Sequence, residues 1–191
     1  MGITNEITVY HGTDYDIAEL IVSGGFKYNK NDEHWLGNGI YFYSDLSLAK
    51  WWTKKPSNKF GADIKKPAII KCILSIDEDN IMDLSKLEDY LIFSQIYKDE
   101  FLPKVYDGDI IIPKYKGTGR FDSKKLRCSY CDTIKDQYDL KALVGTFNIP
   151  HQPYLPKEYG EGFKYFSINY IETQICVFDA DVIIDKQIIA I

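Results

Sequence analysis

Apolar residues recur along the chain in short runs, and most of these runs have the density or the alternation of β-strands. Runs rich in β-branched and aromatic residues predict strands at 6–10, 39–43, 68–76, 166–178 and 182–191. These strands lie towards both ends of the chain, with helical patterns between them. The sequence therefore predicts an α+β domain with a largely antiparallel sheet.

Helical spacing of apolar residues separates the strands, and each predicted helix starts at a side chain that can cap its first turn. The predicted helices are 15–22 after Asp14, 45–53 after Ser44, 85–100 from the capping box Ser85-Lys86-Leu87-Glu88, and a last helix that Asp132 or Thr133 caps and that ends near 143.

Polar stretches with glycine and proline connect these elements. The stretch 26–35 precedes a glycine turn, and its length predicts a mobile flap over a site. Residues 101–133 are rich in Gly, Pro, Lys and Asp, and we expect an insertion or a substrate-facing excursion there. Loops are predicted at 54–66 and 148–162. The length of 191 residues predicts a single domain spanning 1–191.

A net charge of −5 argues against nonspecific binding of nucleic acid by the whole surface. The charge is uneven, however, because 114–127 holds six basic residues and one acid, interleaved with two aromatic residues. Such a run is either a solvated face or a groove for a polyanion. On the second interpretation, the acceptor-binding candidates are Lys114, Arg120, Lys124, Lys125 and Arg127.

No apolar run approaches the roughly 18 residues that a membrane helix needs, and the first residues do not resemble a signal peptide. We therefore expect a cytoplasmic protein without a membrane partner. The chain has four cysteines, of which Cys128 and Cys131 have metal-knuckle spacing. A structural zinc site needs four ligands, and no second pair is nearby. This favours free thiols in a loop and no metal.

Candidate chemistry lies in three short stretches. The first is Val9-Tyr10-His11-Gly12-Thr13, which ends a strand with an imidazole, a bare backbone and a hydroxyl. The second is Gly37-Asn38-Gly39-Ile40-Tyr41-Phe42, a glycine turn that opens into an aromatic strand. In the third, Ile171 to Asp179, Glu172 and Gln174 project from one face of a strand. Together they fit a flat heterocycle and its attached sugar.

In this order the stretches resemble the catalytic core of ADP-ribosyltransferases of the diphtheria-toxin and poly(ADP-ribose) polymerase type. That family carries a histidine, a tyrosine and a glutamate on separate strands of a split antiparallel sheet. The resemblance covers most of residues 7–53 and about 15 residues near the C-terminal end. It implies NAD as co-substrate.

The resemblance also implies residue roles. His11 would bond the adenosine ribose of NAD, the Gly12 backbone would bond the nicotinamide amide, and Tyr41 would pack on the nicotinamide ring. The other expected NAD-binding residues are Thr13 and a stacking aromatic at Trp52 or Trp51.

This sequence departs from the family at the last position, where Gln174 occupies the place of the catalytic glutamate. The family's glutamate favours the positive charge that builds as nicotinamide leaves, and a glutamine offers no charge. Either Glu172 supplies the carboxylate, or the strand registers differently, or catalysis is slower. The departure speaks against polymer elongation.

The implied function is a mono-ADP-ribosyltransferase acting on nucleic acid or protein, of the kind found in toxins and defence effectors, which an antitoxin-type partner could neutralise. The alternatives are an NAD glycohydrolase and a non-catalytic NAD- or ADP-ribose-binding module. RNA 2′-phosphotransferases also begin with His-Gly-Thr, but they need His and Arg residues where this chain has Gly-Ile-Tyr-Phe.

Overall fold

The computed structural model describes residues 4–54, 64–148 and 171–189, and the structural statements below concern these residues. The strands are β1 (Thr4–Asp14), β2 (Ile40–Tyr43), β3 (Pro67–Asp77), β4 (Ile81–Asp83), β5 (Ala142–Phe147), β6 (Glu172–Val177) and β7 (Ile183–Ile189). They form a seven-stranded open sheet in the order β4-β5-β6-β2-β1-β3-β7. All neighbouring pairs are antiparallel except β4 with β5.

Five α-helices connect the strands of the described ranges: α1 (Tyr15–Gly24), α2 (Leu46–Thr53), α3 (Leu87–Ile96), α4 (Leu102–Asp107) and α5 (Ser123–Gln137). One wide turn, Tyr97–Phe101, joins α3 to α4, and short 3₁₀ turns lie at Glu78–Asn80 and Ala180–Val182. Within the described ranges, no helix has the length and apolar character needed to cross a membrane.

The structure confirms the α+β class and the mainly antiparallel sheet. Strand β3 matches its prediction to within one residue at each end, whereas β1 is longer than predicted at both ends, because residues 4–5 and 11–14 also pair with β3. Short strands β4 and β5 were not predicted. Parts of the predicted strands and loops, at 55–63, 149–170 and 190–191, lie outside the described residues.

The last predicted helix is wrong. Asp122, not Asp132 or Thr133, begins α5, because its carboxylate accepts the N–H groups of Lys124 and Lys125 at 3.0 and 3.3 Å. Residues 142–147 then form β5 between β4 and β6. Such a short apolar run fits a buried strand as well as a helix, and periodicity alone does not separate the two.

Two predicted caps are also wrong. Asp45 rather than Ser44 caps α2, by accepting the N–H of Ser47 at 2.7 Å. At α3 the hydroxyl of Ser85 bonds Asp83 instead of a helix N–H, so the predicted capping box does not form. The predicted Asp14 cap of α1 is confirmed.

The two faces of the sheet bury different sets of side chains. On one face, Val9, Phe42 and Ile175 pack with α1, while residues of opposite parity on the same strands point to the other face. There, Leu143 and Cys176 pack against α5, and a smaller cluster forms under α2. The stretch predicted as an insertion supplies part of this second core, through the buried residues Phe101, Val105, Ile112, Tyr130 and Cys131.

Replacing Asp122 with Ala should lower the free energy of unfolding by about 1 kcal/mol, because α5 loses the acceptor for two first-turn N–H groups. Urea denaturation measures the change. The matched variant is Ser85→Ala, where no helix cap is lost, and its effect should be clearly smaller. The assignment of the caps is contradicted if Ser85→Ala costs as much as Asp122→Ala.

Candidate functional site

The sheet separates between its two central strands. Strand β1 pairs with β3 along its whole length, and β2 pairs with β6 along its whole length. Between β1 and β2, however, the described residues form one registered pair, Tyr10 opposite Tyr43. The sheet is therefore two half-sheets joined near this pair, and the first two predicted motifs lie at the opening.

The alternation of β1 directs the backbone of Gly12 into this opening. The N–H of Tyr15 donates to the carbonyl of Lys66 at 2.7 Å, at the end of the ladder with β3. In an antiparallel pair, the backbone groups of alternate residues point to the same side of the strand. The odd-numbered residues of β1, such as Thr13 and His11, therefore direct their N–H and C=O groups towards β3. Gly12 belongs to the other set, whose N–H and C=O groups point towards β2. Because the registered ladder with β2 does not continue beyond Tyr10, one donor and one acceptor of Gly12 face the opening.

The side chain of His11 bridges the two half-sheets. Its Nδ1 lies 2.8 Å from the carbonyl oxygen of Tyr41, and since a carbonyl only accepts, Nδ1 carries the proton and Nε2 is left as an acceptor. Phe26 and Phe42 contact the imidazole edge-on, at 5.3 and 5.8 Å between ring centroids. This burial lowers the pKa of His11, and the bond to Tyr41 only partly opposes it. The imidazole is therefore neutral near pH 7.

His11 lies on the opposite face of the sheet from the other predicted catalytic residues. Its ring packs on Phe42 in the α1-side core, whereas Tyr41 belongs to the second core. Tyr41 and Tyr43 lie two residues apart on β2 and share a face of the sheet, and Gln174 is the cross-strand partner of Tyr43 on that face. Glu172 lies two residues before Gln174 on β6, so it points to the same face. The sheet thus brings Tyr41, Glu172 and Gln174 to one surface, which the His11 ring can approach only through the opening.

Glu172 is a buried carboxylate with one oxygen unused. Its side chain is 1% exposed, and the amide of Gln174 donates to Oε1. Oε2 is shielded from solvent and has no hydrogen-bond partner among the described residues. The hydroxyl of Tyr43 lies beside this carboxylate, and burial together with the charge of Glu172 raises the pKa of Tyr43. Gln174 and Tyr43 therefore position the carboxyl group of Glu172 on this face of the sheet.

The Tyr41 hydroxyl holds the glycine turn. It accepts the N–H of Leu36 at 2.7 Å and donates to the carbonyl of Gly37 at 2.8 Å, and burial raises the pKa of Tyr41. Gly37 has φ +84°, and a Cβ there would lie 2.7 Å from Oδ1 of Asp132, so only glycine fits this turn. The hydroxyl of Tyr41 therefore has both of its hydrogen bonds within the glycine turn, and a ligand would contact the ring of Tyr41 and not its hydroxyl.

Helix α2 covers the other side of the opening. A Cβ on Gly12 would lie 2.6 Å from the carbonyl oxygen of Ala49, so the glycine lets the helix pack directly on β1. Trp52 packs against Tyr43 at 6.4 Å between ring centroids, and Trp51 is half-buried on the same helix. Thr13 is buried on the His11 face, away from these tryptophans.

The predicted acceptor-binding residues do not form one groove. Lys124 pairs with Glu33 at 2.8 Å and Lys125 with Asp32 at 2.6 Å, so both attach α5 to the loop between α1 and β2. Lys114 lies in a separate turn, with its Nζ 5.1 Å from the ring centre of Phe121. Arg120 belongs to the same turn, where its carbonyl accepts the N–H of Tyr115. Arg127 lies elsewhere, with its guanidinium over the ring of Trp35.

Sequence reasoning missed three residues around the Glu172 surface. Tyr43 could have been found, because residues two apart on a strand share a face and Tyr41 was already a candidate. His34 and Trp35 lie in the loop predicted as a flap, where no helical or strand periodicity indicates towards which part of the protein a side chain points. The His34 ring is 5.6 Å from that of Tyr41, and burial lowers its pKa against the opposing charge of Asp132.

Cys128 and Cys131 lie on α5 and not in a loop. Both are buried and free, and burial raises the pKa of their thiols to about 11 and about 12. Cys128 donates to the carbonyl of Asn31 at 3.2 Å, which adds a further contact between α5 and the loop. The residues that the structure describes contain no group of three or more His, Cys, Asp or Glu side chains suited to a metal ion.

The burial of His11 predicts a pH dependence of stability. Its pKa in the folded protein is below 6.5, so between the folded and unfolded values the unfolded chain binds more protons. The free energy of unfolding should therefore fall as the pH falls through 6.5, and this contribution should level off below the folded pKa. Urea denaturation between about pH 7.5 and 5 measures the slope.

His11→Asn keeps an N–H near the position of Nδ1 but does not titrate, so the slope should be reduced in this variant. His34→Asn is the matched control for the other described histidine, which is half-buried, and the two reductions should be separable. An unchanged slope in His11→Asn would contradict the assignment of a buried, neutral imidazole at this position.

Comparison with known proteins finds a relative in Methanocaldococcus jannaschii, an uncharacterised protein that is 41% identical over 96 residues. The match covers 48% of this chain and 44% of the relative, so the chain spans less than half of that protein. No protein-family model matches the chain, and no solved structure matches it significantly.

Proposed function

We propose that the protein is an NAD-dependent mono-ADP-ribosyltransferase, which cleaves the bond between nicotinamide and ribose and transfers ADP-ribose to a macromolecular acceptor. The observation that carries the proposal is the buried Glu172 carboxylate, held by Gln174 and Tyr43 on the face of the sheet that also carries Tyr41. No other carboxylate is placed in this way among the described residues.

The opening between β1 and β2 supports binding of the leaving group. A primary amide needs one acceptor for its N–H and one donor for its oxygen, and the backbone of Gly12 presents both towards the opening. The aromatic side chains of Tyr41 and Trp52 stand near the two sides of this region. A flat ring with a carboxamide, as in nicotinamide, matches this combination.

Glu172 supports the chemical step. As the bond to nicotinamide breaks, positive charge develops on the ribose, and a fixed negative charge nearby favours that state more than the ground state. Gln174 offers no charge, but its amide donates to Glu172 Oε1 and leaves Oε2 for a ribose hydroxyl. In this proposal Glu172 supplies the carboxylate and Gln174 positions it.

The burial of Glu172 sets a requirement on the reaction. A carboxylate that is 1% exposed can bond a ribose only after the side chains covering it move. The same burial favours one alternative, a module that binds NAD or ADP-ribose without turnover. A third candidate, the NAD glycohydrolase, uses the same residues with water as acceptor.

The direct experiment incubates the protein with labelled NAD and cell lysate, and then treats the products separately with nuclease and protease. Label that stays with macromolecules supports transfer, and the enzyme that releases it identifies the acceptor class. Free ADP-ribose without labelled macromolecules indicates the glycohydrolase. Saturable NAD binding with no nicotinamide released indicates the binding module.

Glu172→Gln should slow nicotinamide release by on the order of 100-fold, because it removes one charge contact to the transition state. Gln174→Ala should reduce the rate less, since the carboxylate remains. Single-turnover release of nicotinamide measures both. If Gln174→Ala is the more damaging change, Glu172 is not the working carboxylate.

Tyr43→Phe should lower kcat about tenfold with little change in KM, because the Tyr43 hydroxyl lies beside Glu172 and its loss leaves the carboxyl group less well positioned. Tyr130→Phe is the matched control, since its hydroxyl donates to the carbonyl of Phe93 far from Glu172. Equal losses of kcat in the two variants would indicate that both act by lowering the stability of the protein, and that Tyr43 does not position Glu172.

A further inference from the structure

Arg127 differs from the other basic residues at the start of α5. Lys124 and Lys125 each pair with an acid of the loop between α1 and β2, whereas Arg127 has no ion pair within the described ranges. Its guanidinium instead lies over the ring of Trp35, 4.4 Å from the centroid. The positive charge of Arg127 is thus held in position by an aromatic face and is not neutralised by a carboxylate.

The contacts of Arg127 leave a donor edge without an acceptor. Its Nε is shielded from solvent and has no hydrogen-bond partner in the described part of the chain. A shielded donor without an acceptor is destabilising, and more so when the group is charged. Once the side chains covering this edge move, an oxyanion bound there would recover that free energy, because Nε–H and a neighbouring N–H of a guanidinium form a fork that matches two oxygens of a phosphate.

The surroundings of this donor edge include an accessible aromatic surface. Trp35 is 46% exposed although Arg127 covers part of it. Phe147 contacts Trp35 edge-on at 4.8 Å, and Phe147 is paired with Glu172 across β5 and β6. A ligand held by Arg127 and Trp35 would therefore be separated from the proposed catalytic carboxylate by the side chain of Phe147.

We propose that Arg127 and Trp35 form a binding site for single-stranded nucleic acid, with a backbone phosphate on Arg127 and a base against the exposed part of Trp35. The proposal rests on the transferase function, for which it names the acceptor class. A phosphate next to a flat apolar ring is the repeating unit of a nucleic acid, and only an unpaired base has a free face for stacking. Lys124 and Lys125 then serve to attach the loop that carries Trp35.

The test measures binding of short labelled single-stranded DNA and RNA oligonucleotides by fluorescence anisotropy, without NAD. Arg127→Gln should weaken binding about tenfold and make the dependence of log K on log salt shallower by about 0.7, the value for one lost phosphate contact. Arg127→Lys should restore part of the affinity. Lys124→Gln, with the same charge change one turn away, should have a clearly smaller effect.

Trp35→Leu tests the base contact, and it should weaken oligonucleotide binding at least about fivefold. Because Trp35 is half-exposed in a loop, this variant also serves if Arg127→Gln does not fold. A parallel titration with NAD distinguishes the two sources of phosphate.

Three results would overturn the proposal: no oligonucleotide binding by the unaltered protein, equal effects of Arg127→Gln and Lys124→Gln, or weaker NAD binding in Arg127→Gln with oligonucleotide binding unchanged. The last result would assign the phosphate to the co-substrate. Since the oligonucleotide assay does not require turnover, its failure is distinct from a failure to release nicotinamide from NAD.

Discussion

The hydrogen bond from His11 to the carbonyl of Tyr41 is the contact on which the candidate site depends. Where β1 and β2 separate, a backbone ladder would normally satisfy such a carbonyl. Here the side chain of His11 takes that role, while the backbone of Gly12 stays directed at the opening. One imidazole thus bridges the two half-sheets at the point where the backbone of Gly12 faces the opening.

Glu172 shows how the fold supports a group that is costly to bury. A carboxylate shielded from water is destabilising unless hydrogen bonds compensate. Gln174 provides one such bond, and Tyr43 lies alongside. The register of β2 with β6 places Tyr43 opposite Gln174, so the same pairing that builds the sheet assembles the support of the carboxylate. The strand thus carries a second polar side chain, the carboxyl group of Glu172, two residues before Gln174 on the same face.

The sequence predicted the long apolar strand β3, the Asp14 cap and the two motifs at the opening, because each depends on local chemistry. It did not predict β5, because a run of six residues is too short to distinguish the periodicity of a strand from that of a helix. It also could not show that Lys124 and Lys125 are paired, since Asp32 and Glu33 lie more than 90 positions away. The position of His11 on the opposite face from Tyr41 follows from strand register, which no single stretch of sequence contains.

The loop between α1 and β2 connects the two proposals physically. Its C-terminal end is firmly attached, because Tyr41 bonds Leu36 and Gly37 and Asn38 bonds Asp132. Its middle is attached by two partly exposed ion pairs with α5, each of a kind that contributes about 0–1 kcal/mol, and by hydrogen bonds of the Asn31 backbone with Asn38 and Cys128. Trp35 lies between these two regions and contacts both Arg127 and Phe147. The proposed acceptor site at Arg127 and Trp35 thus adjoins Phe147, which is the cross-strand neighbour of Glu172.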